Sequence, residues 1–210
     1  GASSVHDFEI ALVGHTSEDV ARELCNGTFG MAQETGRGVN LAIKKGVKKG
    51  YGIGRSVGEY ISKGVFKYKD KSIFSKAYRL GVPVTVHVAV GTDIIHMHPE
   101  ADGAAIGKGS MSDFRLLAAV IADLEGGVYL NLGSAVVLPE VFLKALNIAR
   151  NLGHRVQDIT TVNMDFVQHY RPGENVLRRP TSMNGRNYAL TGHHEIMFPL
   201  LAAAVMEELK

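Results

Sequence analysis

The 210-residue chain has no tryptophan, one cysteine and only six prolines. A lone cysteine cannot form an internal disulfide and excludes a multi-cysteine zinc site. Cys25 sits in 17-SEDVARELC-25, which reads as a helix, so a buried small hydrophobe is its expected role. Charge of one sign is also lacking: 23 basic residues face 21 acidic ones, a net charge of +2. That excess is too small to imply a nucleic-acid partner. The clusters 44-KKGVKKG-50 and 67-KYKDK-71 read as a solvated helix face and a polar loop. There is no long apolar run either. The longest, 196-IMFPLLAAAVM-206, falls short of the roughly 20 residues a membrane helix needs, and Pro199 interrupts it. With no signal-peptide pattern in view, a cytoplasmic location is the expectation. Serine-hydrolase and P-loop signatures are absent.

What remains has the composition of a globular domain, 45% hydrophobic and 21% charged. A turn at 1-GASSVHD-7 runs into a helix ending near Gly14. Ser17 is the expected cap of the next helix, with acidic residues in its first turn. Helices are expected over about 30–46 and 53–63. The glycines of 50-GYGIGRSVG-58 superficially match a dinucleotide fingerprint. The preceding residues are lysine-rich and helical rather than a strand, so close packing at a helix boundary is the better reading.

From residue 72 onward, strands alternate with helices. Helix 72–81 leads to a β-branched strand, 82-VPVTVHVAV-90. Helix 112–127, capped by Ser112, leads to strand 128–132. Helix 139–153 has Pro139 in its first turn and leads to strand 158–165. A short strand over 187–191 precedes a last helix over 194–209. This alternation predicts an α/β fold: one domain over 1–210, with a mostly parallel sheet and helices on both faces.

Parallel sheets take ligands beyond the carboxyl ends of their strands, which selects three segments. In 91-GTDIIHMHPEAD-102, His96 and His98 would share a face of extended chain, and Glu100 or Asp102 could complete a metal site. Asp93 is placed either to accept from a ribose hydroxyl or to cap the following turn. The turn 133-GSA-135 is built of small residues that let a ligand approach the backbone. The segment 163–180 holds Asp165, His169, Tyr170, Arg171, Glu174, Arg178 and Arg179, which reads as a lid or substrate clamp, or as a salt-bridged connection. His193 and His194 stand at the N-terminus of the last helix, where they could meet a ligand hydroxyl or phosphate.

Taken in order, these segments resemble the deoxyhypusine synthase family. The opening GASSVHD is similar to the remainder of its T-A-G-G-x-x-x-D turn, and 82-VPVTVHVAVGTD-93 to its strand ending in T-D. The stretches 132-LGSAV-136, 171-RPGENV-176 and 198-FPLL-201 are similar to its L-G-G-G-V turn, R-P-x-E-x-V segment and F-P-L-L helix. The resemblance implies a Rossmann-like sheet and NAD as cofactor, with a homo-oligomer, dimer or tetramer, as the assembly. It also implies a domain that starts after the family's first strands, with a sheet edge that another subunit would cover. The implied NAD contacts are Ala2, Ser3, Asp93, Gly133, Ser134, Ala135, His193 and His194. The implied catalytic-pocket residues are His6, His98 and Glu174.

Two of those, His6 and His98, stand where the family usually has a carboxylate. The family's imine-forming lysine is replaced by Pro180, preceded by Arg178 and Arg179. A guanidinium cannot take its place as nucleophile. The leading expectation is therefore NAD-dependent oxidation or group transfer on a small amine or related substrate, with His6 or His98 as general base. A non-catalytic dinucleotide-binding or assembly module is the second expectation. A metal-dependent hydrolase using the HMHPEAD loop is the third.

Overall fold

The computed structural model describes residues 1–16 and 19–210, in two compact units, Gly1–Leu116 and Leu117–Lys210. Ser17, the expected helix cap, lies outside the described residues. The first unit is helical. It contains α1 (Ala2–Val13), α2 (Val20–Cys25), α3 (Gln33–Lys48), α4 (Ile53–Lys63) and α5 (Ile73–Leu80). Its last helix, α6 (Gly103–Ala122), continues past the unit boundary at Leu116. Its core gathers Val5 and Phe8 of α1, Val39 and Ile43 of α3, Ile53, Val57 and Ile61 of α4, and Ile95 and Ile106. The short helix α2 contributes no buried residue, and Cys25 is exposed rather than in the core. A six-residue helix with no apolar face against a neighbour gives a thiol nowhere to hide.

Buried carboxylates hold the helix ends. The Ser72 hydroxyl caps α5 by accepting from the Ser75 amide at 2.9 Å. Asp7 of α1 completes that cap, accepting from the Ser72 hydroxyl at 2.5 Å and the Ile73 amide at 2.7 Å. Asp113 of α6 does the same for α4, accepting from the Gly54 amide at 2.9 Å. Each satisfies donors that a helix leaves without intrahelical partners.

Residues 82–90 form no helix and join no strand ladder among the described residues. The expected strand is corrected accordingly. β-branched residues report a fit to extended, half-buried backbone, not the presence of a partner strand. Here the partner is a side chain, because the Val86 amide donates to Asp113 Oδ2 at 2.8 Å. The segment runs so close to α4 that a Cβ at Gly54 would overlap the Val84 carbonyl oxygen. At Gly58 a Cβ would come within 2.6 Å of the Phe74 carbonyl oxygen. The glycines of 50–58 are therefore packing glycines. Helix α6 also starts earlier than expected. Asp102 receives the Ala104 and Ala105 amides at 3.0 Å each, while Ser112 sits inside the helix and donates back to the Lys108 carbonyl.

The second unit holds a three-stranded parallel sheet of β1 (Val128–Leu132), β2 (Thr160–Asp165) and β3 (Arg186–Thr191), in the order β1-β2-β3. The fold class is thus α/β, with a smaller sheet than expected. The register sets Asn131 opposite Asn163, and Asn163 opposite Ala189. Central β2 is almost wholly buried, as a strand paired on both sides should be. Helix α7 (Val137–Asn151) makes the β1-to-β2 crossover and stacks Phe142 on Tyr129, centroids 3.7 Å apart. The expected loop 163–180 is largely helical: α8 (Tyr170–Pro172) runs into a π-helical stretch, Gly173–Arg178. The last helix, α9 (His194–Glu208), buries none of its residues. No helix among the described residues is long and apolar enough to cross a membrane.

Candidate functional site

Asp93 follows the extended segment 82–90 and opens a single helical turn, Ile94–His96, as a reciprocal cap. His96 Nδ1 accepts from the Asp93 amide at 3.3 Å and from the Gly91 amide at 3.1 Å. With Nδ1 accepting, the neutral ring carries its proton on Nε2. That Nε2 is buried without a hydrogen-bond partner; Asp93 Oδ2, 4.0 Å from it, also accepts no hydrogen bond but is ion-paired to the Gly1 ammonium at 3.4 Å. The ammonium compensates the buried charge, and the oxygen keeps capacity to accept a hydrogen bond.

Asp93 is one of the residues lining a cavity of about 380 Å³. Among its walls are Ala2 and His6 of α1, with Glu9, Thr16, Thr92 and Asp93. Ala2 and His6 lie on one helix face, one turn apart. Glu9, further along the same helix, is more tightly held: it accepts from the Thr16 hydroxyl at 2.5 Å and the Thr35 hydroxyl at 3.1 Å. Three implied site residues, Ala2, His6 and Asp93, therefore share one cavity. Ser3, beside Ala2 on α1, is exposed and does not line it.

His98 is elsewhere in the first unit. Its ring packs where a side chain at Gly36 would be. Its Nδ1 accepts from the Glu100 amide at 3.0 Å, and its Nε2 lies 3.2 Å from Gln33 Oε1. Both nitrogens are engaged, and the expected shared face of His96 and His98 does not form, because 94–96 is a helical turn rather than extended chain. Glu100 is taken by Lys44 and Asp102 by the α6 amides. Among the described residues, no group of three or more His, Cys, Asp or Glu side chains could hold a metal ion.

In the second unit, another set gathers at the carboxyl edge of the sheet. Gly133 follows β1 with φ +67°, a left-handed conformation that suits glycine. Its amide donates to the Met164 carbonyl at 3.1 Å. His194 Nε2 lies 3.1 Å from that same oxygen. A carbonyl can only accept, so His194 carries its proton on Nε2, leaving Nδ1 as an acceptor. A Cβ on Gly133 would come within 3.1 Å of His194 Nε2. Ser134 caps α7 through the Leu138 amide at 3.2 Å, and its carbonyl accepts from Asn131. Ala135 completes the turn, and His193 stacks on Phe166 at the start of α9.

Glu174 is not part of this edge. Its carboxylate accepts from Arg178 Nε at 2.8 Å and sits 3.5 Å from Arg179 Nε. The Arg178 hydrogen bond holds its carboxyl below the usual carboxylate range. The salt-bridged connection, rather than an open clamp, describes this segment.

Sequence reasoning missed the Asn131–Asn163–Gln168 chain beneath the edge, with links of 2.7 Å each. Asparagines in adjoining parallel strands were a signal for it. It also missed that His96 partners Asp93; a D-x-x-H spacing across a helical turn was the clue. No family model, curated protein or solved structure matches this chain.

Proposed function

We propose that this chain is a deoxyhypusine synthase-like, NAD-dependent oxidoreductase or transferase acting on a small amine or related substrate, with a Rossmann-like sheet and a homo-oligomeric assembly. One observation carries the reading. Ala2, His6 and Asp93, assigned to one site from motifs at opposite ends of a long sequence interval, line a single cavity. The donor set suits a dinucleotide: the Asp93 carboxylate lines the cavity, its Oδ2 accepts no hydrogen bond, and it is the acceptor assigned to a ribose hydroxyl. The first turn of α1 offers backbone amides to an anionic group.

Bound NAD supplies the hydride acceptor. Oxidation moves a hydride from the substrate carbon and a proton from its N–H or O–H. His6, exposed on the cavity wall, is the base assigned to that proton. Without a lysine at Pro180, group transfer proceeds with no imine to this chain at that position. The resemblance also assigns Gly133, Ser134, Ala135, His193 and His194, at the carboxyl edge of the second unit's sheet, to NAD contacts.

Calorimetric titration with NAD tests the reading. Binding should weaken at least about tenfold in Asp93→Ala, from the loss of a charge-assisted hydrogen bond. No NAD binding, or equal binding by wild type and variant, overturns it. A second reading, dinucleotide binding without catalysis, is favoured by the engagement of both His98 nitrogens and of the Glu174 carboxylate. NAD binding without NADH fluorescence on incubation with amines, alcohols or hydroxy acids would select it.

A further inference from the structure

A second and larger cavity, about 520 Å³, lies in the first unit among α1, α3, α4 and the chain following α4. Its volume is in the range of small-molecule pockets, roughly 300–1,000 Å³. On α3, Gly38, Ala42 and Gly46 recur every four residues and so share the face that lines it. Phe8 of α1, Tyr60 of α4 and Phe66 form an apolar wall, with ring centroids 5.2 to 6.2 Å apart.

One end of this cavity is basic. Lys45, Lys49 and Lys63 stand there with a single carboxylate, Glu59. Glu59 accepts from Lys49 at 2.7 Å and from Lys63 at 2.6 Å. Each ammonium has three donors, so both keep capacity for another acceptor. Lys45 makes no hydrogen bond or ion pair among the described residues; its Nζ lies 5.9 Å from the Tyr60 ring centroid. Glu34 marks the other end, eleven residues earlier on α3, which is about 16 Å along the helix axis. The cavity is therefore polarised: ammonium groups at one end, aromatic rings between, a carboxylate at the other.

We propose that this cavity binds a monoanionic amphiphile of the fatty-carboxylate class, with its head group on Lys45 and its chain along Phe8, Tyr60 and Phe66. A second negative group at the far end of the chain would meet Glu34, so monoanions are preferred to dianions. Burying the chain against the half-buried Tyr60 and Phe66 rings, backed by Phe8, supplies the affinity, and the lysine end fixes the direction.

Calorimetric titration of the full chain with decanoate, decan-1-ol, decylammonium and decanedioate tests this. Decanoate should bind, decylammonium and decanedioate at least about tenfold more weakly. Lys45→Glu, an exposed substitution that the fold should accept, should weaken decanoate at least about tenfold, while Lys45→Arg stays close to wild type. Absence of decanoate binding, equal binding of decylammonium, or unchanged binding in Lys45→Glu overturns the proposal. The last result would place the ligand on apolar surface elsewhere. None of these outcomes depends on NAD, and the NAD reading can fail or stand independently.

Discussion

Asp113 Oδ2 accepts two backbone amides at once, from Gly54 at 2.9 Å and from Val86 at 2.8 Å. One carboxylate thus ties the start of α4 and the middle of an extended segment to α6. Asp113 is buried. Removing it leaves two buried donors unmet, so Asp113→Ala should lose about 2–4 kcal/mol, read by urea denaturation.

The same carboxyl has a pH signature. Burial pushes its pKa up to about 6, against a backbone hydrogen bond from Gly54 that pulls it down. A folded-state pKa above the unfolded value means the folded protein holds the proton more tightly. Its contribution is fully present below the unfolded pKa of 3.8 and declines as pH rises to about 6. Asp113→Asn should remove that slope, so wild-type stability relative to the variant should fall between those pH values. A flat difference across the window would contradict the assignment.

Glu59 has the opposite sign. Hydrogen bonds from Lys49, then Lys63, hold its carboxyl down at about 2, from an ordinary 4.5. It stabilises the fold above the unfolded pKa, and the contribution is lost as pH falls toward the folded one. Glu59→Gln should lower the thermal midpoint at neutral pH, and the gap to wild type should close on acidification through that interval. High salt should narrow the gap at neutral pH, since the lysine partners are more than half exposed.

Gly133→Ala should cost about 1–2 kcal/mol, because φ is +67° and the added methyl would press on His194 Nε2. NAD binding, measured alongside stability, should weaken too if this turn contacts the cofactor. His194→Ala should leave the turn conformation intact and serves as the control for a purely steric effect.

Much of the second unit was readable because its strands are short, regular and punctuated. The segments 128–132, 158–165 and 187–191 each became a strand of the parallel sheet, with small shifts at the ends. Residues 82–90 have the same local chemistry and became something else. Strand propensity is local, whereas a ladder needs a neighbour that local pattern does not specify. Ser112 misled for a related reason: its hydroxyl can cap a helix or donate to a carbonyl four residues back, and Asp102 had already closed that helix start. At the cavity, Asp93 was legible from its place after an extended run. That its Oδ2 would accept no hydrogen bond from His96 was not, because it depends on a 4.0 Å separation fixed by tertiary packing.

The contact between Gly54 and the Val84 carbonyl also sets the mechanics of the first unit. A helix that meets backbone through a bare Cα is keyed to one axial position. Sliding α4 by one residue would bring the side chain of Ile53 or Arg55 onto that carbonyl. Gly58 adds a second key against Phe74 on the same helix, a turn further along. Helix α4 cannot ratchet along the extended segment, and Asp113 holds its start beside that segment. A shear of α4 along that segment is therefore not a way to open or close the Lys45 cavity.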